Sequence, residues 1–409
     1  MKAIITAKAK NAVRLVGEEG LTRFAGKVIA RYGVNPLMRA VYAPAYRRFP
    51  NLLNRQPETV YVILSTVDWA FRYRQRPQHL AVELANSGAI AIYVNPPNSS
   101  ERERGPREIQ PRLYVVSGAS TLLKTLRPSK VMILSTDNSI DNSDIDQWLA
   151  RGHELIYDYI DEVSEQISRR SVSRQRWELH RRLLGGSDAR VVVSATDLQA
   201  DAESNGCSSL VLIENGVDVA HFQEAELVQT KLSARFVDLI QRGNPIVGYY
   251  GALAAWLDYD LILECAAARP QYEFVLIGPD YDESVPDAMK TQPNVHILPP
   301  VDYSQIAGYG ARFNVALIPF LVNSLTEAVS PIKLFEYLAL GKPVVSTAIT
   351  ESRKYDCVYV SGRDGFCSAI DQAVATENDA ASVRARRATA DANTWRARVD
   401  VLRHFVEET

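Results

Sequence analysis

From Val60 onward, short runs of continuously apolar residues alternate with stretches of helical periodicity. VYVILS (60–65) precedes a helical segment near 77–87 and the run AIAIYVNPP (89–97). LYVVSG, KVMILST, ELIYDYID and RVVVSAT continue the rhythm, and SLVLIENGVD (209–218) closes it. Strands that are apolar on both faces and joined by helices predict a parallel sheet covered on both sides. A polar helical connector at about 222–243 follows, and the pattern then restarts. PIVGYYG (245–251), EFVLIGP (273–279), NVHILPP (294–300), NVALIPF (314–320) and KPVVST (342–347) read as a second set of strands. The pattern predicts an α/β chain of two doubly wound, Rossmann-like domains, 57–222 and 223–385, facing a cleft. A last helical stretch, 386–409, carries Trp395, Val399, Leu402 and Phe405 as its packing face.

A length of 409 residues suits two such domains, and contents of 46% apolar and 23% charged residues are those of a soluble globular protein. No apolar run approaches the roughly 18–20 residues that span a bilayer, and the first residues lack the compact apolar segment of a signal peptide. Cys207, Cys265, Cys357 and Cys367 show no C-x-x-C spacing. Neither a zinc site nor a disulfide framework is expected, and a reduced cytoplasmic setting is.

The net charge of −2 hides an asymmetry: residues 1–55 hold 11 Lys and Arg against Glu18 and Glu19. Within this basic extension (1–56), Leu21, Phe24, Ala25, Val28 and Ile29 recur at helical spacing, and Arg23, Lys27 and Arg31 line another face. Two readings stand side by side. The segment lies on an anionic membrane, making the protein peripheral at the inner face of the plasma membrane, or it packs on the protein's own acidic body. Nucleic acid is not an expected partner, because the rest of the chain is acidic and shows no nucleic-acid-binding module.

The stretch SPIKLFEYLALGKPVVST (330–347) carries the most chemistry. Ser330 suits an N-cap and Pro331 the first helical position, while Gly341 and Pro343 end the helix. Lys333 then falls in the first turn, where the helix dipole disfavours a cation unless an anion faces it. Glu336 lies one turn on, on the same face, placed to accept sugar hydroxyls; an ordinary solvated Lys and Glu is the plain alternative. Arg76, Gln78 and His79, after the first strand, form a second edge suited to anions or hydroxyls. Asp137 ends another strand, and Asp161 suits an N-cap. The pairs Asp258/Asp260, Asp280/Asp282 and Asp158/Asp161 are commoner as loop carboxylates than as a metal site. No G-x-G-x-x-G follows a strand and no P-loop motif occurs, which removes support for dinucleotide and P-loop readings.

In order, RPQHLA, YDYIDE, VSATDLQAD, IENGVDVAHF, GYYGALAAWLDYDLI, FVLIGPD, NVHILPPVDYSQI and NSLTEAVSPIKLFEYLALGKPVVST resemble a retaining glycosyltransferase of the GT-B fold, group 1 or family 4 type. The branch they look most like builds bacterial surface polysaccharides, and the resemblance covers roughly residues 60–400. It implies a nucleotide-sugar donor on the C-terminal domain and a glycan or lipid-linked acceptor on the N-terminal one, with no metal and no bound cofactor. Glu336 would hold the ribose, and Lys333 with Ser330 at the helix start would meet the diphosphate. Gly251 and Gly278 would let the phosphates approach, and Val301 would border the base. Arg76, Gln78 and His79 would serve the acceptor, with Lys333, Glu327, His79 and Asp137 as the catalytic set. Two departures stand out. Many such proteins carry a Glu eight residues before Glu336, where this chain has Ala328 with Glu327 beside it. Many also carry phosphate-binding cations after the strand matching GYYG, where this chain reads ALAAWLDYD. The same fold hosts sugar-nucleotide epimerases, and a degenerate, membrane-associated scaffold is the non-enzyme alternative.

Overall fold

The computed structural model describes residues 48–97, 99, 105–118, 122–137, 139–163, 172–185, 187–224 and 230–407. The amphipathic stretch at 21–31 lies outside them, as does the basic extension up to residue 47. Of that extension's described end, Phe49 and Leu53 are buried in the N-terminal core.

Two sheets organise the chain. The first holds β1 (Val60–Leu64), β2 (Ile90–Asn95), β3 (Arg107–Gln110), β4 (Leu113–Ser117), β5 (Lys130–Leu134), β6 (Glu154–Tyr159), β7 (Ala189–Val193) and β8 (Leu210–Leu212), in the order β3-β4-β2-β1-β5-β6-β7-β8. The second holds β9 (Ile246–Tyr250), β10 (Glu273–Ile277), β11 (Val295–Leu298), β12 (Val315–Ile318), β13 (Val344–Thr347) and β14 (Val358–Ser361), in the order β11-β10-β9-β12-β13-β14. All pairings are parallel except β3 with β4. β1, β2, β5, β9, β10 and β12 are buried along their whole length, which is why they read as unbroken apolar runs. β3 (REIQ) and the half-buried β14 (VYVS) escaped that pattern, since each is a short edge strand.

β1 lies between β2 and β5, and β9 between β10 and β12, so the strand order reverses between β1 and β5 and again between β9 and β12. Crevices at such reversals, beyond the carboxyl ends of the strands, are where open α/β sheets take ligands. The helical tail divides at Asn393. Ala380–Ala392 packs on the C-terminal domain beside the Ile332–Ala339 helix, and Trp395–Glu407 crosses to the N-terminal domain. There Trp395, Val399, Leu402 and Val406 join the N-terminal core, and the Tyr61 hydroxyl donates to Glu407 at 2.6 Å. Gly216 permits this crossing: a Cβ there would lie 2.9 Å from the Trp395 nitrogen and 3.0 Å from the Asn393 oxygen.

One expectation fails on cysteine. Cys265 and Cys367 form a disulfide, with α-carbons 5.4 Å apart and a sequence separation of 102. They sit on neighbouring helices, Tyr259–Ala268 and Arg363–Ala375, so no local spacing announces them. Cys207 and Cys357 are free. Among the described residues no helix is long and apolar enough to cross a membrane.

Candidate functional site

The helix of interest runs from Ile332 to Ala339 with Pro331, not Ser330, as its N-cap. Proline offers no capping side chain, and Ser330 is otherwise engaged: its hydroxyl accepts from the Asn215 N–H (3.1 Å) and its carbonyl from the Asn215 amide (2.6 Å). Lys333 is therefore the second helical residue. Its Nζ lies 5.3 Å from the centroid of the Tyr249 ring and 5.1 Å from that of Phe320. Tyr249 belongs to β9 and Phe320 follows β12, so the ammonium sits at the reversal point of the C-terminal sheet. Two ring faces hold the cation, and among the described residues no carboxylate forms an ion pair with it.

Glu336 is 6% exposed. Burial pushes its carboxyl up to about 7, against the opposing pull of the Tyr250 hydroxyl and Lys333. Burial also pushes the Lys333 ammonium down to about 8, with Glu336 resisting. Desolvation works against the charged form of both groups, and an ion or hydroxyls that replaced the lost water would favour those charged forms.

Gly251 follows β9 with φ at 139°, a conformation closed to most side chains, and a Cβ on it would lie 3.0 Å from the Lys333 side chain. Its lack of a side chain makes the room in which Lys333 lies. The expectation for Gly278 needs correcting, because a Cβ there would fall 1.8 Å from the Gly251 carbonyl oxygen. Gly278 is thus a packing glycine that brings two strand ends together. Val301 is half-buried on the C-terminal core just beyond β11.

The N-terminal edge is corrected more thoroughly. Arg76 is buried; its guanidinium grips both oxygens of the fully buried Asp158 and reaches the Glu214 carbonyl and the Asn215 side chain. Gln78 closes the turn that starts the Arg76–Asn86 helix: it accepts from the Gln75 N–H and donates to the Asp68 and Trp69 carbonyls. Neither residue presents a free polar group to an acceptor. His79 stacks on Trp395, with centroids 4.8 Å apart and planes 8° apart, and meets the Tyr303 ring edge-on. Burial, with Arg74 and His221 nearby, holds it neutral, and its Nε2 is buried without a partner among the described residues. Sequence spacing put these residues near the cleft without showing which side of the helix faces it.

Asp137 is buried beyond β5, and its Oδ1 accepts from the Ser139 N–H and hydroxyl at 2.7 Å each. Burial raises its carboxyl above the usual range. Glu327 is turned away from a donor role: one oxygen accepts from the Thr350 N–H (2.6 Å) and hydroxyl (2.5 Å), tying two C-terminal segments together. Asp161 caps no described helix, since the next begins at Arg174. Asp258 caps the helix after it and pairs with Arg363, and Asp282 accepts from the Ala255 N–H. Among the described residues no group of three or more His, Cys, Asp or Glu is arranged to hold a metal.

A cleft of about 510 Å³ opens between the domains. Trp69, Phe71, Arg72 and Arg74 form its N-terminal wall, and Asp218, His221, Asp302 and Tyr303 the other. Tyr303 connects it to the helix site: its ring stacks on His221, and its buried hydroxyl feels the charge of Glu336. Tyr303, Tyr249, Phe320 and Asn215 were not singled out from sequence. Aromatic residues at strand ends read as core, and an asparagine in a loop reads as a turn.

Two doubly wound domains, paired across a cleft and closed by a returning helix, make the GT-B architecture. Residues 260–404, which span the Ile332–Ala339 helix and most of the tail, match the family described as glycosyl transferase-like. The fold is thus the GT-B architecture, and the C-terminal part of the chain is similar to glycosyl transferase-like proteins. Among relatives, the chain is 27% identical over 262 residues to a Bacillus subtilis (strain 168) protein named for teichuronic acid biosynthesis, the glycosyltransferase TuaH. That match covers 59% of this chain and 64% of the relative's length. Among solved structures, Anabaena Alr3699/HepE in complex with UDP and glucose superposes with a TM-score of 0.60 at 12% identity, covering 86% of this chain and 100% of that one. A UDP-forming α,α-trehalose-phosphate synthase from Burkholderia xenovorans gives a TM-score of 0.59 at 10% identity, over 86% and 98%.

Two outcomes test this description. Glu336 has a folded pKa above its unfolded value, so the folded state binds the extra proton and stability falls as pH rises from the unfolded value toward about 7. The isosteric Glu336→Gln is therefore more stable than wild type in urea unfolding at pH 8, and the gain disappears near pH 5; a gain independent of pH contradicts it. Arg76→Ala strands the buried Asp158 charge and costs about 3–5 kcal/mol at pH 7. An unchanged urea midpoint would return Arg76 to a ligand-binding role.

Proposed function

We propose that the chain transfers a hexose from a UDP-hexose, with retention of anomeric configuration, to a glycan or lipid-linked acceptor in bacterial cell-surface polysaccharide biosynthesis. The observation that carries this is the paired Lys333 and Glu336 at the reversal point of the C-terminal sheet, a cation and a carboxyl whose charged forms are both disfavoured by burial, beside the strand ends. The uridine choice draws support from the structural neighbours, HepE having been crystallised with UDP and glucose. The polysaccharide role draws support from the name of the Bacillus subtilis relative.

In this reading Glu336 accepts hydrogen bonds from the ribose, and Lys333 neutralises the diphosphate as it departs. The anomeric carbon–phosphate oxygen bond breaks and a bond to the acceptor oxygen forms on the same face. The acceptor proton passes to the leaving phosphate, so no protein nucleophile is required. Lys333 acts where charge develops, and losing such a contact costs on the order of 10²–10³ in rate. The reading calls for neither a metal nor a bound cofactor.

A thermal-shift panel of UDP-, GDP-, dTDP- and CMP-sugars on wild type and Glu336→Ala tests the donor. UDP-sugar at about 100 times its dissociation constant stabilises wild type by roughly 2.7 kcal/mol, a shift of a few degrees, and the variant loses that shift. If no nucleotide shifts the folded protein, the non-catalytic scaffold is the better reading. Product analysis of turnover separates transfer from epimerisation.

The basic segment 1–55 supports a second part of the proposal, a peripheral contact with anionic membrane. Binding to phosphatidylglycerol-containing liposomes then weakens with added salt and is lost when residues 1–47 are deleted. Retention by the shortened chain refutes it.

A further inference from the structure

The inference concerns the cleft lined by Trp69 and Arg74 and rests on the transferase reading above. The Arg74 guanidinium lies 5.9 Å from the Trp69 centroid, on the N-terminal side, and 5.9 Å from the Tyr303 centroid, on the C-terminal side. The rings screen the guanidinium but offer nothing to its in-plane N–H donors. Among the described residues none accepts a hydrogen bond or forms an ion pair with Arg74. Its neighbour Arg72 is different: its guanidinium meets Asp302 at 2.7 Å, and its carbonyl accepts from the Tyr303 N–H at 3.1 Å. That contact joins the two walls and neutralises one charge of each sign, leaving Arg74 as the uncompensated cation of the N-terminal wall.

The rest of the lining suits a saccharide. Phe71 is 43% exposed, an apolar ring available to the C–H face of a sugar. Asp218, opposite, accepts from the His221 N–H through one oxygen, and the carboxylate still has acceptor capacity for sugar hydroxyls. A half-buried guanidinium pre-positioned between two rings, with a carboxylate and an exposed ring around the same 510 Å³ space, selects for a ligand bearing an anionic oxygen group. We propose that this cleft is the acceptor subsite and that it takes an acidic saccharide unit, its carboxylate or phosphate bound by Arg74. Acceptor specificity would then reside in a charge outside the donor helix, on the loop after β1.

Methyl β-D-glucuronide, glucose 6-phosphate and neutral methyl β-D-glucoside, titrated into the full chain and followed by ligand-observed NMR, test this. Titrations run with and without saturating UDP, so that a response persisting with UDP present does not come from the donor site. The expected result is that one or both anionic sugars bind roughly 10- to 100-fold tighter than the glucoside. Preference for glucuronide identifies a carboxylate, and preference for the phosphate ester a phosphorylated unit. Arg74→Gln abolishes the preference and Arg74→Lys retains part of it, with thermal unfolding verifying that both variants fold. Equal binding of charged and neutral sugars, or a preference that survives in folded Arg74→Gln, overturns the proposal. UDP-induced stabilisation is read separately, so its absence counts against the donor reading while the sugar titrations still decide this one.

Discussion

The constraint on which the site depends is the cost of keeping Lys333 and Glu336 away from water. Neither side chain is compensated in the ordinary way: the ammonium faces two aromatic rings, and the carboxyl sits beside a tyrosine hydroxyl. Desolvation outweighs their mutual attraction for both, since the carboxyl moves up and the ammonium down. A ligand that brings an anion to one and hydroxyls to the other removes both penalties together. The free protein thus gives up stability for a site already shaped for charge, a common bargain where function requires pre-organisation.

That site would be loose unless the Ile332–Ala339 helix were fixed relative to the opposite domain. A chain of polar contacts does so. Asp158 at the end of β6 holds Arg76, Arg76 reaches Asn215 in the crossing segment, and Asn215 binds Ser330 just before the helix. A second link runs from Glu214 to Lys354 and Arg398, and from Glu351 to the Thr196 N–H. The Trp395–Glu407 helix then clamps the crossing from behind, stacking Trp395 on His79. Residues that look like ligand-binding candidates on the N-terminal edge are, in physical terms, the fasteners that set the width of the cleft.

This explains why some features were legible in the sequence and others not. Strands buried on both faces write themselves as apolar runs, so the parallel core and the restart of the pattern near residue 245 could be read directly. β3 and β14 could not, because edge strands carry polar and half-exposed residues. The Lys333/Glu336 pair was readable because a lysine in a first helical turn is locally unfavourable. Ser330, Arg76 and Glu327 were misread for one reason: each makes its decisive contact with a residue distant in sequence, Asn215, Asp158 and Thr350 respectively. Local propensity can propose a cap or a ligand, but a long-range contact overrides it; the disulfide between Cys265 and Cys367 is another contact between residues distant in sequence.

The stretch after β9 carries no cation. Here Leu253, Ala254 and Leu257 are buried, and the Leu253 N–H and carbonyl bond to the backbone of 279–281. The segment is an apolar brace, unable to supply positive charge. Lys333 lies instead against Gly251, in space that a side chain at that position would fill, and rests on rings from β9 and the end of β12. The small residue at 251 and the cation at 333 are therefore one device: enlarging the first displaces the second. The positive charge is thus mounted on a helix and set against aromatic faces, which makes its position depend on packing in the C-terminal core.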